Sequence, residues 1–276
     1  MNRKNSIYLL LLILIIIIIL VSILYITTIK ESFVNSDNNR YTAIIVEPRK
    51  HKALEFVLLN ALTNLDNNWD IIIFHGNLNR EYLQNILDTK LSEYSNRIKM
   101  ISLNVDNLTI SDYNILFKTE GLYNHIPTET FLVFQTDSMI IPKNRNRIYE
   151  FLQYDYVGAI WPHLDNQIGN GGFSLRKKSK MLEIIKTCPY TNMNSEKHIE
   201  KYKKDVENED VYFSLLCESV TLNKPSINDA KKFSSEGVLD SNSFAIHKCW
   251  NGTSINDLIK TFPEVEELYY LQGVED

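Results

Sequence analysis

Four short, nearly continuous apolar runs limit what this chain can fold into more than any other feature. They are "TAIIVEP" (42–48), "WDIIIFH" (69–75), "IKMISL" (98–103) and "FLVF" (131–134). A strand with one wet face alternates apolar and polar residues, whereas these runs suit strands covered by helices on both faces. The intervening segments have helical spacing. Leu54, Val57, Leu58, Ala61, Leu62 and Leu65 mark an amphipathic helix over 51–66, and further helices are expected over 79–94 and 111–125. Such alternation predicts right-handed crossovers and an α/β fold with a mostly parallel sheet flanked by helices. The second half is less regular. Strands are expected at 154–159, 171–176 and 243–250, and helices at 177–188 and 209–220.

Ahead of these elements, residues 7–29 form an uncharged apolar run of 23 residues, long enough to cross a bilayer as one helix. Arg3 and Lys4 precede it, and Lys30 and Glu31 cancel after it, so the positive-inside rule keeps the N-terminus cytoplasmic. The run is longer than a signal-peptide core, and "YITTIKES" is a poor match to a small-residue cleavage site. The expected order is therefore a cytoplasmic tail (1–6), a transmembrane anchor (7–29), a short stem (30–40) and one domain over 41–276. That is a single-pass type II membrane protein, with its domain lumenal, as in the endoplasmic reticulum or Golgi, or otherwise non-cytoplasmic.

With 29 basic and 34 acidic residues the net charge is −5, which argues against nucleic acid as a partner. Cys188, Cys217 and Cys249 lack metal-type spacing and allow one disulfide with one thiol left over; Cys217, in "VYFSLLC", reads as a small core residue. Asn107-Leu-Thr109 and Asn251-Gly-Thr253 fit the N-glycosylation pattern of a lumenal glycoprotein. No Gly-rich dinucleotide or Walker-type loop follows the first strand, where the sequence is "VEPRKH". This disfavours dinucleotide binding and a methyltransferase.

Four polar stretches interrupt the apolar pattern. "QTD" (135–137) follows the fourth run, and Asp137 is there either a turn residue or the floor of a site, because ligands of open α/β sheets bind beyond the strands' carboxyl ends. "GNGGFSLR" (169–176) contains three of the nine glycines, a clustering that permits close backbone approach. "NED" (208–210) opens a helix with two carboxylates, either as dipole complements or as acid–base groups. "HKCW" (247–250) is the fourth.

"IIVEPR", "IFHG", "FQTDS", "YDYVGA" with Trp161, "GNGGFSLR", "NEDVYF" and "HKCW" occur in this order. Together they resemble a glycosyltransferase-like domain family of unknown function, and through it the nucleotide-sugar-dependent transferases of the GT-A fold, a Rossmann-like architecture. The resemblance runs from about residue 42 to 250. It implies a nucleotide-sugar donor, a glycan or protein acceptor, and a divalent metal at the position of the D-x-D motif. Here that motif reads Gln135-Thr136-Asp137, so only Asp137 is kept as a ligand, with His247 as its partner. Hard-cation preferences make manganese the better match to an Asp–His pair. Glu47 and Arg49 would flank the nucleotide with Gln135, and Gly171 and Gly172 would let the chain approach a sugar. Asp210, with Glu209 beside it, falls in the catalytic-base region of inverting enzymes. Trp161 and Trp250 are candidates for stacking on a sugar ring. A catalytically inactive module that binds a glycan or a protein partner is the alternative.

Overall fold

The computed structural model describes residues 40–192 and 195–273. The anchor expected at 7–29 lies outside them; among the described residues no helix is long and apolar enough to cross a membrane.

The four apolar runs are β1 (Tyr41–Val46), β2 (Trp69–His75), β3 (Ile98–Ser102) and β4 (Thr130–Val133), all mutually parallel. Their alternate residues feed two cores. Ala43, Ile45, Ile71, Ile73, Leu132 and Phe134 belong to one, together with helices α1 (Leu54–Asn64) and α2 (Arg80–Thr89). Ile44, Val46, Ile72, Phe74, Phe131 and Val133 belong to the other, with α3 (Ile110–Phe117). This two-sided burial is why the runs carry no polar alternation.

β5 (Ser138–Ile140) leaves the main sheet directly after β4. It is followed by β6 (Tyr156–Gly158), the hairpin β7 (Ile160–Trp161) and β8 (Gln167–Ile168), β9 (Ser174–Lys177) and helix α4 (Lys178–Thr187). The main sheet runs β3-β2-β1-β4-β9-β6. β9 is antiparallel to both β4 and β6, so the sheet is mixed rather than mostly parallel. The physical reason is the connection: a hairpin rather than a crossover helix joins β6 to β9, and only antiparallel neighbours can be joined without a long crossover.

A three-stranded sheet follows the order β10 (Ser234–Ser235), β11 (Ala245–His247), β5. The helix expected over 209–220 is shorter and irregular. Glu209–Val211 is one α-helical turn, and Tyr212–Leu216 is a π-helix, a distortion frequent beside functional sites. Cys217 ends that segment and is disulfide-bonded to Cys188, while Cys249 is a free buried thiol. The reading of Cys217 as a plain core residue is thereby corrected. Its apolar neighbours bury it, and the end of α4 brings Cys188 within a Cα–Cα distance of 5.7 Å.

Candidate active site

The chain runs outward from β1 through β2 to β3, then returns to β4 on the other side of β1. The carboxyl ends of β1 and β4 therefore form a topological switch point, where α/β sheets leave a crevice. A cleft of about 500 Å³ opens there. Of the residues singled out in the sequence, Glu47, Arg49, Gln135, Asp137, Gly172, Glu209, Asp210 and His247 line it. Gly171 stands just behind, its N–H donating to Asp210 Oδ2 at 2.9 Å.

Beyond β1, Arg49 Nε and Nη2 donate to the two Glu47 carboxylate oxygens, each at 2.8 Å. Glu47 is buried and Arg49 is mostly exposed, so the carboxylate aims a guanidinium that still reaches solvent. Asn79 stitches the strand ends together: its Nδ2 donates to the carbonyls of Glu47 and Arg49, and its Oδ1 accepts from Gly76 N. In the sequence Asn79 looks like an ordinary residue before a helix.

Beyond β4 the turn closes without help from Asp137. Ser138 N donates to Gln135 O, and Ser138 Oγ accepts from Gln135 N at 3.0 Å. The Asp137 carboxylate instead faces His247, with Oδ1 3.2 Å from Nε2 and no hydrogen-bond partner for that buried oxygen. The contact is ionic. The carboxylate thus engages the imidazole, while Ser138 closes the turn. Burial alone would lower the His247 pKa, but Asp137 and then Glu236 outweigh it and push the imidazole up to about 10. Burial acts on Asp137 in the opposite sense, and His247 more than offsets it, so the carboxyl lies below its ordinary value.

Gln135 bridges the two walls. Its Nε2 donates to Tyr113 Oη at 2.9 Å, and its Oε1 lies 3.3 Å from His247 Nε2. Among the described residues no group of three or more His, Cys, Asp and Glu side chains could hold a metal. Asp137 and His247 offer two donors only. An oxygen and an imidazole nitrogen, with a buried oxygen left unpaired, fit a cation whose remaining ligands come from elsewhere.

The opposite wall is built on a buried ion pair. Arg176, on β9, donates from Nη1 to Glu209 Oε2 at 2.6 Å and from Nη2 to Glu209 Oε1 at 2.9 Å. It is fully buried, with its guanidinium 4.9 Å from the Tyr156 ring and 5.3 Å from the Phe117 ring. Glu209 N donates to Asn114 Oδ1 at 2.8 Å, so α3 caps the short helix from outside. Both Glu209 oxygens are thus engaged. The neighbouring Asp210 accepts from Gly171 N and Val211 N while facing the cleft. A helix start favours the ionised form of a carboxylate. Burial, and then the Glu209 charge, instead push the Asp210 carboxyl up to about 7, against the two backbone N–H groups and Arg176.

Gly171 and Gly172 are packed against the side chains of the cleft. A Cβ on Gly171 would collide with Glu209 and Asp210, and one on Gly172 with His247 and Gln135. The glycines make room for the cleft's own side chains. Trp161 is a core residue, buried with Tyr156 and Tyr212. Trp250 lines an adjoining cavity of about 580 Å³ that shares Arg49, Thr136, Asp137 and Lys248 with the first. Lys248 has a left-handed backbone (φ 47°), and its N–H donates to Asp137 O at 2.9 Å.

Tyr113, Asn114 and Glu236 were absent from the sequence candidates, and Arg176 and Lys248 stood in the stretches "GNGGFSLR" and "HKCW" without an assigned role. Arg176 ends the strand expected at 171–176 and is followed by two lysines, so nothing local marks it as buried. Arg176→Met should cost about 3–5 kcal/mol in urea unfolding, because it strands the Glu209 carboxylate in the core. Adding Glu209→Gln should recover much of that loss. Equal stability of Arg176→Met and the wild type would remove the pair from this structural role.

A comparison with curated protein sequences finds no match. Among solved structures, the glycosyltransferase GlyE in Streptococcus pneumoniae TIGR4 superposes with a TM-score of 0.51 at 11% identity, covering 86% of this chain and 61% of GlyE. This chain thus spans less than two thirds of that protein. An active-site mutant of LgtC superposes with a TM-score of 0.53 at 13% identity, covering 84% of this chain and 95% of LgtC. At these identities the likeness concerns the fold: a glycosyltransferase-like α/β architecture with a mixed sheet flanked by helices. The model of one sequence family matches residues 97–248, more than half the chain, and the protein therefore belongs to DUF5672, a family of proteins of unknown function.

Proposed function

We propose that this chain is a glycosyltransferase moving a sugar from a nucleoside-diphosphate sugar to a hydroxyl of a glycan or protein acceptor, with inversion. The observation that carries this reading is the meeting, in one switch-point cleft, of Asp210, poised near pH 7, with the Asp137–His247 pair. The acceptor O–H gives its proton to Asp210 as its oxygen bonds to the anomeric carbon. The bond from that carbon to the diphosphate oxygen breaks, and the nucleoside diphosphate leaves with the electron pair. A base with a pKa near the working pH is ionised in a large share of molecules yet still basic enough to take the proton. Glu209 is committed to Arg176, so the base is Asp210.

The leaving diphosphate carries charge that must be met by preorganised groups. Arg49 and Lys248 stand where the two cavities join, which suits a donor with its sugar on the Asp210 side. Asp137 and His247 are the residues that would hold a divalent cation, by donor type manganese. Bound there, it would neutralise charge on the diphosphate. One observation favours a second reading, an inactive glycan- or partner-binding module: Gln135 replaces an acid of the resembled motif, and its amide is engaged with Tyr113 and His247.

The division into tail, anchor, stem and a domain over 41–276 is likewise proposed, with the domain outside the cytosol. It rests on the run at 7–29 and is supported by the Cys188–Cys217 disulfide, a bond rare in reducing compartments. Protease added to sealed microsomes should spare the domain; its digestion there would reverse the orientation.

Manganese with UDP or GDP should protect the chain against heat well beyond either alone, and one member of a nucleotide-sugar panel should be turned over. Stabilisation without turnover would select the binding module, and no response to any nucleotide would dismiss the donor. Asp210→Asn should slow transfer by about 100-fold or more while leaving nucleoside diphosphate binding intact. Protonation of Asp210 should make the wild-type rate fall by about tenfold per unit as the pH drops below about 7. A profile flat from about pH 5 to 8 would exclude Asp210 as the base.

A further inference from the structure

The small sheet carries a row of side chains of which the transfer step uses only part. β10 and β11 are parallel, with Ser234 opposite Ala245 and Ser235 opposite Ile246. One step further along this register, Glu236 comes beside His247. β11 and β5 are antiparallel, with His247 opposite Ser138, the neighbour of Asp137. The pairing thus sets Glu236, His247 and Asp137 in line across one edge. His247 Nε2 is 3.2 Å from Asp137 Oδ1, and its Nδ1 is 3.5 Å from Glu236 Oε1. Among the described residues six buried side-chain nitrogen and oxygen atoms lack a hydrogen-bond partner, and three of them are in this row: Asp137 Oδ1, His247 Nδ1 and Glu236 Oε2.

We propose that Glu236 is a positioning residue for His247, holding the ring by its Nδ1 so that Nε2 is presented to the cleft. An imidazole rotated by half a turn would set a ring carbon against the Glu236 carboxylate and another against Asp137. Both carboxylates would then be left without their nitrogen partner in a buried place. Contact with Gly172 confines the same ring from the side, since a Cβ there would collide with it. A carboxylate behind a histidine fixes which ring nitrogen faces the ligand and raises the basicity of that nitrogen. The role rests on the reading of this cleft as a site for a nucleoside diphosphate and its cation, and it adds Glu236, which touches neither.

The test uses the full chain and the variants Glu236→Ala, Glu236→Gln, His247→Ala and Glu236→Ala/His247→Ala. The probe is manganese together with UDP or GDP, followed by calorimetry. Glu236→Ala should weaken joint binding by about 10- to 100-fold, whereas Glu236→Gln, whose amide oxygen can still accept from Nδ1–H, should keep most of it. In the His247→Ala background, Glu236→Ala should add no further loss. A second readout needs no ligand: the Nδ1 proton of His247 should give a slowly exchanging ring signal in NMR, lost in Glu236→Ala and kept in Glu236→Gln. Wild-type binding in Glu236→Ala would overturn the proposal. So would equal losses in the two Glu236 variants with lowered melting temperatures, the mark of a merely structural charge. If the wild type binds neither nucleotide, the transferase reading fails, and the ring signal alone decides: its persistence in Glu236→Ala overturns the positioning role.

Discussion

The buried pair of Arg176 and Glu209 is the contact on which the candidate site depends. It joins the antiparallel strand of the main sheet to the short helix that presents Asp210, and it does so where no water can substitute for either partner. Removing two charges from water is costly, and the cost is offset only when both are fully hydrogen-bonded. Ser174 Oγ accepts from Arg176 Nε, three rings surround the guanidinium, and Asn114 fixes the backbone of Glu209. A surround this complete tolerates little displacement. The backbone of Asp210, one residue on, is therefore held with the same precision.

The same pair sets the electrostatics of its neighbour. The Glu209 charge raises the Asp210 carboxyl and Arg176 lowers it, with burial the larger influence and upward. Two adjacent carboxylates thereby take different roles: one is a fixed counter-ion, the other a group that can change its protonation state near neutral pH. Across the cleft, Asp137 and His247 stabilise each other's charged forms. One wall thus carries a group that can accept a proton near neutral pH, and the other holds a pair of opposite charges.

Much of this was legible in the chain. β2 falls where the apolar run placed it, β3 is one residue shorter than its run, and β1 and β4 differ from theirs by one or two residues at each end. The reason is that burial on both faces leaves an unmistakable compositional trace. Asp137, His247, Asp210 and the paired glycines were also visible, as polar or glycine residues breaking apolar patterns. The direction of β9 was not visible, because a strand's own residues do not encode its neighbour's polarity. The π-helical stretch after Asp210 was equally hidden, since "VYFSLL" has ordinary helical character.

The sequence by itself determined the layered α/β plan and the small set of residues from which a site could be made. Local patterning suffices for that, because each strand and helix must bury its own apolar surface. Only the tertiary structure decided how the set divides. Glu209 and Asp210 are adjacent and both acidic, yet an arginine thirty-three positions away engages the first and leaves the second facing the cleft. Glu236 became relevant through strand register alone, eleven residues from His247 in the chain and one strand away in space. Long-range pairing of charges and strands sets these roles, and it leaves no local signal to read.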